Sequence, residues 1–303
     1  MDFKAELVKR TDEIEHILKT WAPEEVGYQK TVFEAMNYSL MAGGKRVRPM
    51  LIRETYRFFG GTHEALIHPF MAAIEMIHTY SLIHDDLPAL DNDEYRRGRK
   101  TSHVVFGEAM AILAGDALLN YAYETAAKAF DFAEDNDEFR KVAKALQILA
   151  RKPGVYGMIG GQVVDVESEG QPLDKEILNF IHEMKTSALI ECAMMIGAVL
   201  AGVSEDELNK VESIAKNIGI SFQIQDDVLD VTGSFEVLGK PTHSDEKNNK
   251  TTYVTLFGIE GAMEEAKYLS DVAIQSLGEL SEEKGQANPF LSELICALVY
   301  REK

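Results

Sequence analysis

Apolar residues recur at three-to-four spacing through most of the chain, as at Val211, Ile214, Ile218, Phe222 and Leu229, the period that gathers them on one face of a helix. Runs with the strict alternation of a half-buried strand are few, so the pattern predicts an all-α protein. Gly, Pro, Asn and acidic residues interrupt it at 59–62, 131–137, 152–154, 168–172 and 285–289, where helices are expected to end. Ser204 with Glu207 forms a capping-box pair ahead of Leu208 and marks one helix start. The run 188–203 is apolar almost throughout, but Glu191 interrupts it and it falls short of the roughly 20 residues that span a bilayer, so it reads as a buried core helix. From 232 to 250 the periodicity lapses, and the Gly, Ser, Pro, Asn and Lys content predicts a mobile loop that could serve as a lid beside a site. Helices joined by such breaks pack as a bundle. No Pro/Ser-rich linker divides the 303 residues, so one domain over 1–303 is expected.

Composition changes this picture mainly by exclusion. With 46% hydrophobic residues, a chain of this length can bury a large core. Against 31 basic residues stand 50 acidic ones, and the formal charge of −19 opposes nonspecific binding to nucleic acid or to an anionic membrane. A polyanionic ligand would therefore need local cations or metal ions. Residues 1–15 mix Lys, Arg, Asp and Glu without an apolar stretch, so neither export nor stable membrane insertion is expected. Cys192 and Cys296, each within an apolar segment, suit reduced core thiols in the cytoplasm better than a disulfide framework.

Two acidic clusters carry the candidate chemistry. An apolar helix over 74–87 runs into Asp85, Asp86 and, after Pro88, Asp91. Pro88 marks the stop, so the carboxylates stand at a helix C-terminus, whose partial negative charge makes them unfavourable unless solvent or a cation offsets them. The second cluster, Asp226, Asp227 and Asp230, lies inside the helix that follows Leu208 and spans an arc of about 100°. A solvated acidic turn would explain one such cluster; two on two helices favour a shared divalent cation. Carboxylates without His or Cys favour Mg²⁺, which commonly completes its shell with phosphate oxygens. A calcium loop is excluded at Asp91 and Asp93 because Tyr95 and Arg96 stand where a ligand and the turn glycine belong. A zinc-protease helix is excluded at His182 and Glu183 because Thr186 replaces the second histidine.

Basic residues answer the clusters. Gly43 and Gly44 precede Lys45, Arg46 and Arg48, but this is not a phosphate loop of the Walker type, since Ser39 replaces the first glycine and Arg46 follows the lysine. Arg96 and Arg97 come soon after the first cluster, free to fork onto phosphate or to pair with Asp91, Asp93 or Glu94. His78 shares the face of Asp85 at two-turn spacing. Lys185 and Thr186 fall on another predicted helix.

In this order the motifs resemble the trans-polyprenyl diphosphate synthases, and bacterial-type farnesyl synthases among them, along almost the whole chain. The set comprises 43–49, His78 to Asp86, Arg96 to Gly98, Gly161 and Gln162 with Asp165, Lys185 with Thr186, Phe222 and Gln223 to Asp230, and Gly239 and Lys240 with Ser244, Asp245 and 250–253. His243 departs from the glycine usual in the last motif. The resemblance implies a helical bundle around a deep central cavity, a homodimer, and a cytoplasmic enzyme acting on small-molecule prenyl diphosphates. It implies three Mg²⁺ ions with substrate bound, Asp85, Asp91 and Asp226 as principal ligands, and Asp86, Asp227 and Asp230 as ligands or their supports. Arg96, Lys185, Thr186, Gln223 and Lys240 would hold the allylic diphosphate, and Lys45, Arg48, His78 and Arg97 isopentenyl diphosphate. A terpene cyclase would not need Lys45, Arg48 and His78, and a noncatalytic helical partner would not need the clusters.

Product length is a separate expectation. Tyr80 and Ser81 precede Asp85 on the same helix, and Tyr80 lies roughly 7.5 Å along the axis from it. A growing chain would meet its ring there. With the two extra residues between Asp86 and Asp91, this resembles farnesyl synthases, geranylgeranyl synthases being the alternative.

Overall fold

A computed structural model describes residues 2–232 and 251–300, and helices make up most of them. The order is α1 (Phe3–Trp21), α2 (Lys30–Leu40), α3 (Val47–Phe58), α4 (His68–Asp85), a hairpin of β1 (Tyr95–Arg96) and β2 (Arg99–Lys100), α5 (Ser102–Phe106), α6 (Glu108–Ala127), α7 (Asn136–Arg151), α8 (Met158–Glu167), α9 (Lys175–Ile181), a π-turn (His182–Ser187), α10 (Ala188–Ala201), α11 (Glu205–Thr232), α12 (Tyr253–Lys284) and α13 (Pro289–Val299). The all-α expectation holds, with one short hairpin added. The residues 233–250 read as a loop, including Lys240, His243, Ser244, Asp245 and Lys250, lie outside the described ones.

The chain packs as two compact units. Met1–Arg53 with Thr62–Leu146 form the first, and Glu54–Gly61 with Gln147–Lys303 the second. In the first, α4 is apolar on every side and buried over most of its length, so it serves as the central helix, packed on α6 and α1. In the second, α10 plays that part: residues 188–200 are all buried, and α11 packs on both α10 and α12. By length and composition Lys175–Ala201 could cross a membrane, but 78% of its apolar window is buried inside the protein, as expected of a core helix.

Helix ends follow local chemistry. Ser204 and Glu207 form the expected capping box, Glu207 N donating to Ser204 Oγ at 3.3 Å and Ser204 N to Glu207 Oε2 at 2.8 Å. α4 stops at Asp85, just ahead of Pro88. Both cysteines are free thiols, Cys192 buried and Cys296 half-buried.

Candidate functional site

In the first unit, α4 delivers the first acidic cluster at its end. Asp85 is its last residue and Asp86 its cap. The chain then turns back, so that Asp91 N donates to the Asp85 carbonyl at 2.9 Å, bringing these two aspartates together across the turn. Asp85 is half-buried and Asp91 exposed. Asp86, only 3% exposed, accepts from Arg96 Nε at 2.7 Å and pairs with Nη2 at 2.6 Å. Burial raises its carboxyl above the ordinary range, and the Arg96 hydrogen bond opposes the rise.

Arg96 is presented by the hairpin. Its turn residues, Arg97 and Gly98, both have positive φ (53° and 73°), the backbone a two-residue type I′ turn demands. Tyr38 on α2 pins it, donating to the Lys100 carbonyl at 2.9 Å with the Arg99 guanidinium 4.1 Å above its ring. Arg97 donates to the Gly43 carbonyl. A contact of Arg96 with Asp93 at 3.7 Å is also present, so the acidic pairing considered from sequence exists beside the stronger one to Asp86.

The 43–48 loop separates its cations by role. Arg46 is 2% exposed at φ 47° and donates to Glu15 (2.6 Å), Glu75 (2.7 Å) and the Leu40 carbonyl (2.7 Å), so it builds the loop instead of facing a ligand. Lys45 is exposed, and Arg48 is half-buried with its Nε enclosed and lacking a hydrogen-bond partner. His78 is pushed well below the ordinary 6.5 by burial first, then by Arg48, Arg97, Arg96 and Arg46. Arg48 and Arg97 also repel each other or their neighbouring guanidiniums, a repulsion that an anion bound beside them would relieve.

Tyr80 is 6% exposed, its ring edge-to-face with His84 at 5.8 Å and 78°. Its hydroxyl is enclosed without a hydrogen-bond partner, and burial, with Tyr123 and Asp85 adding to it, pushes its pKa up to about 12. The half-buried Ser81 donates to the His78 carbonyl at 2.9 Å.

In the second unit, Lys185 and Thr186 stand on the π-turn, not on the regular helix their sequence predicts. Lys185 Nζ donates to Asp165 Oδ2 on α8 at 2.7 Å, and Thr186 Oγ1 to Gln223 Oε1 on α11 at 2.9 Å. Gln223 Nε2 reaches Asp227 Oδ1 at 3.3 Å, and Tyr253 N donates to Asp227 Oδ2 at 3.0 Å. Asp227, 4% exposed, therefore meets the N-terminus of α12, where a carboxylate is favoured. His182 stacks on Tyr253 at 5.5 Å, and its pKa is pushed down to about 4, chiefly by burial. Asp165, Lys185, Thr186, Gln223, Asp227 and Thr252 line one cavity. Asp226 is half-buried on α11 and Asp230 buried; Lys240 lies outside the described residues.

Among the described residues, no group of three or more His, Cys, Asp or Glu side chains is gathered into a ready-made metal site. The donors on offer at each cluster are carboxylates, which fit a hard cation that takes part of its shell from water or phosphate. Sequence reasoning missed the structural role of Arg46, the Arg96–Asp86 pair and the π-turn. Asp165 was signalled only by the family motif.

Residues 29–287 match the family model for polyprenyl synthetases. A geranylgeranyl diphosphate synthase of Cyanophora paradoxa is 43% identical over 272 residues, covering 89% of this chain and 88% of that protein. A farnesyl diphosphate synthase of Geobacillus stearothermophilus is 43% identical over 267 residues, 87% of each chain. The crystal structure of a Helicobacter pylori geranyltransferase complexed with magnesium and isoprenyl diphosphate superposes with a TM-score of 0.84 at 31% identity, covering 99% of this chain and 97% of that one. The chain belongs to the polyprenyl synthetase family and has the helical isoprenoid synthase fold. It is a prenyltransferase that elongates trans-prenyl chains.

Proposed function

We propose that the chain is a farnesyl diphosphate synthase, condensing isopentenyl diphosphate with dimethylallyl and then geranyl diphosphate to give (2E,6E)-farnesyl diphosphate and diphosphate. A farnesyl and a geranylgeranyl synthase are equally similar to it at 43% identity, so overall similarity does not choose the product. Tyr80 carries the choice. It is a buried ring, steadied by His84, about 7.5 Å of helix rise before Asp85. A chain growing from a diphosphate held at Asp85 would end against it.

The reading assigns Asp85, Asp91 and Asp226 to Mg²⁺, three ions with substrate bound, and keeps Asp86, Asp227 and Asp230 behind them. The hard carboxylate donors and the magnesium-bound relative support this. When bound there, Mg²⁺ would neutralise the allylic diphosphate and stabilise the charge that develops as it leaves. Arg96, Lys185, Thr186, Gln223 and Lys240 hold that diphosphate, while Lys45, Arg48, His78 and Arg97 hold isopentenyl diphosphate. The Thr186 hydroxyl and the Gln223 amide supply dipoles for the allylic cation. The isopentenyl double bond attacks that cation, and a proton passes to the released diphosphate to complete the longer chain. The reading extends to a cytoplasmic homodimer.

Tyr80→Ala, assayed with labelled isopentenyl diphosphate, is expected to shift the product from fifteen carbons toward twenty or more. An unchanged product distribution would remove the basis for the farnesyl assignment.

A further inference from the structure

A buried polar network stands behind the π-turn, and none of the chemistry assigned above uses it. Ser187, the last residue of the turn, is fully buried and donates to Glu191 Oε1 at 2.9 Å, with the Lys216 carbonyl as its alternative acceptor at 3.1 Å. Glu191, 4% exposed on the otherwise apolar α10, is ion-paired with Lys152, which also reaches Glu212 on α11 at 2.6 Å. An ion pair in such a place is no better for stability than apolar side chains of the same volume. Its presence calls for a positional reason.

Two close approaches show what is being held. On α8, a side chain at Gly161 would come 2.3 Å from the Lys185 backbone nitrogen and 2.8 Å from the Met184 carbonyl carbon. On α11, a side chain at Gly219 would come 2.3 Å from Ser187 Oγ and 2.5 Å from Ser187 Cα. The turn is therefore clamped at Lys185 by one helix and at Ser187 by another, and the Ser187–Glu191 hydrogen bond ties it to α10. A π-turn holds one residue more than an α-turn, so relaxing it would rotate Lys185 by about 100° relative to α10.

We infer that the Lys152–Glu191–Ser187 network is a positioning device for the known reaction, holding the π-turn in the register that presents Lys185 Nζ and Thr186 Oγ1 to the allylic diphosphate. The inference rests on the assignment of Lys185 to that diphosphate. These three residues touch no substrate; they act through the turn.

The test is steady-state kinetics on the purified full-length enzyme, with separate KM values for the allylic and isopentenyl diphosphates and the melting temperature of each variant. Ser187→Ala is expected to raise the allylic KM about tenfold while leaving the isopentenyl KM unchanged, since misplacing a binding group acts on the ligand it holds. Lys152→Met with Glu191→Leu replaces the ion pair by apolar groups and should keep the melting temperature while showing the same selective rise. If either variant folds as well as the parent and its allylic KM does not move separately from its isopentenyl KM, the inference fails. Lys185→Ala is measured alongside. An unchanged allylic KM there would take down the assignment of Lys185, and the positioning role with it.

Discussion

Asp86 and Asp227 are each the second aspartate of a pair, and both are buried against donors of the protein itself: Arg96 for one, the Tyr253 N–H for the other. Their neighbours Asp85 and Asp226 are more open. Adjacent aspartates therefore predict opposite phenotypes. Asp85→Ala should abolish turnover at saturating Mg²⁺ with the urea midpoint nearly unchanged. Asp86→Ala leaves the Arg96 guanidinium only its longer contact with Asp93 and should cost about 1–3 kcal/mol in the same denaturation experiment. The sequence made both clusters visible but not this division, because which carboxylate meets a donor depends on the hairpin and on the start of α12. His78 has a pH signature of its own. Its native pKa lies below 6.5, so on acidification the unfolded state takes up the proton first and stability is lost as pH falls below the ordinary histidine value. Urea midpoints measured between about pH 7 and 5 should fall less steeply for His78→Gln than for the parent.

At the scale of elements, the legible features were those written in short-range chemistry. The capping box at Ser204, the stop of α4 ahead of Pro88 and the apolar run of α10 could be read directly, and each is in place. Ser204→Ala should cost about 1 kcal/mol of stability by chemical denaturation, as loss of an N-cap does. The hairpin escaped because its strands are two residues long and mostly charged, with no alternation to detect. The π-turn escaped because residues 182–187 have ordinary helical composition. Its extra residue is imposed by Gly161, Gly219 and the Ser187–Glu191 bond, which come from distant parts of the chain.

For the whole molecule, the proposed diphosphate substrate is compatible with a charge of −19 if local cations and a metal held by the carboxylates offset the repulsion. Carboxylate donors leave part of a Mg²⁺ shell to phosphate oxygens, so affinity for Mg²⁺ should depend on the diphosphate. Chelation is expected to abolish turnover while barely changing the melting temperature. Mg²⁺ with an allylic diphosphate at about 100 times its Kd should stabilise the fold by roughly 2.7 kcal/mol, read as a rise in melting temperature that neither component gives alone. The central claim is tested most directly by incubating the purified chain with Mg²⁺, dimethylallyl diphosphate and isopentenyl diphosphate and separating the products by length. A dominant fifteen-carbon product is predicted; a dominant product of twenty carbons or more would contradict the farnesyl assignment.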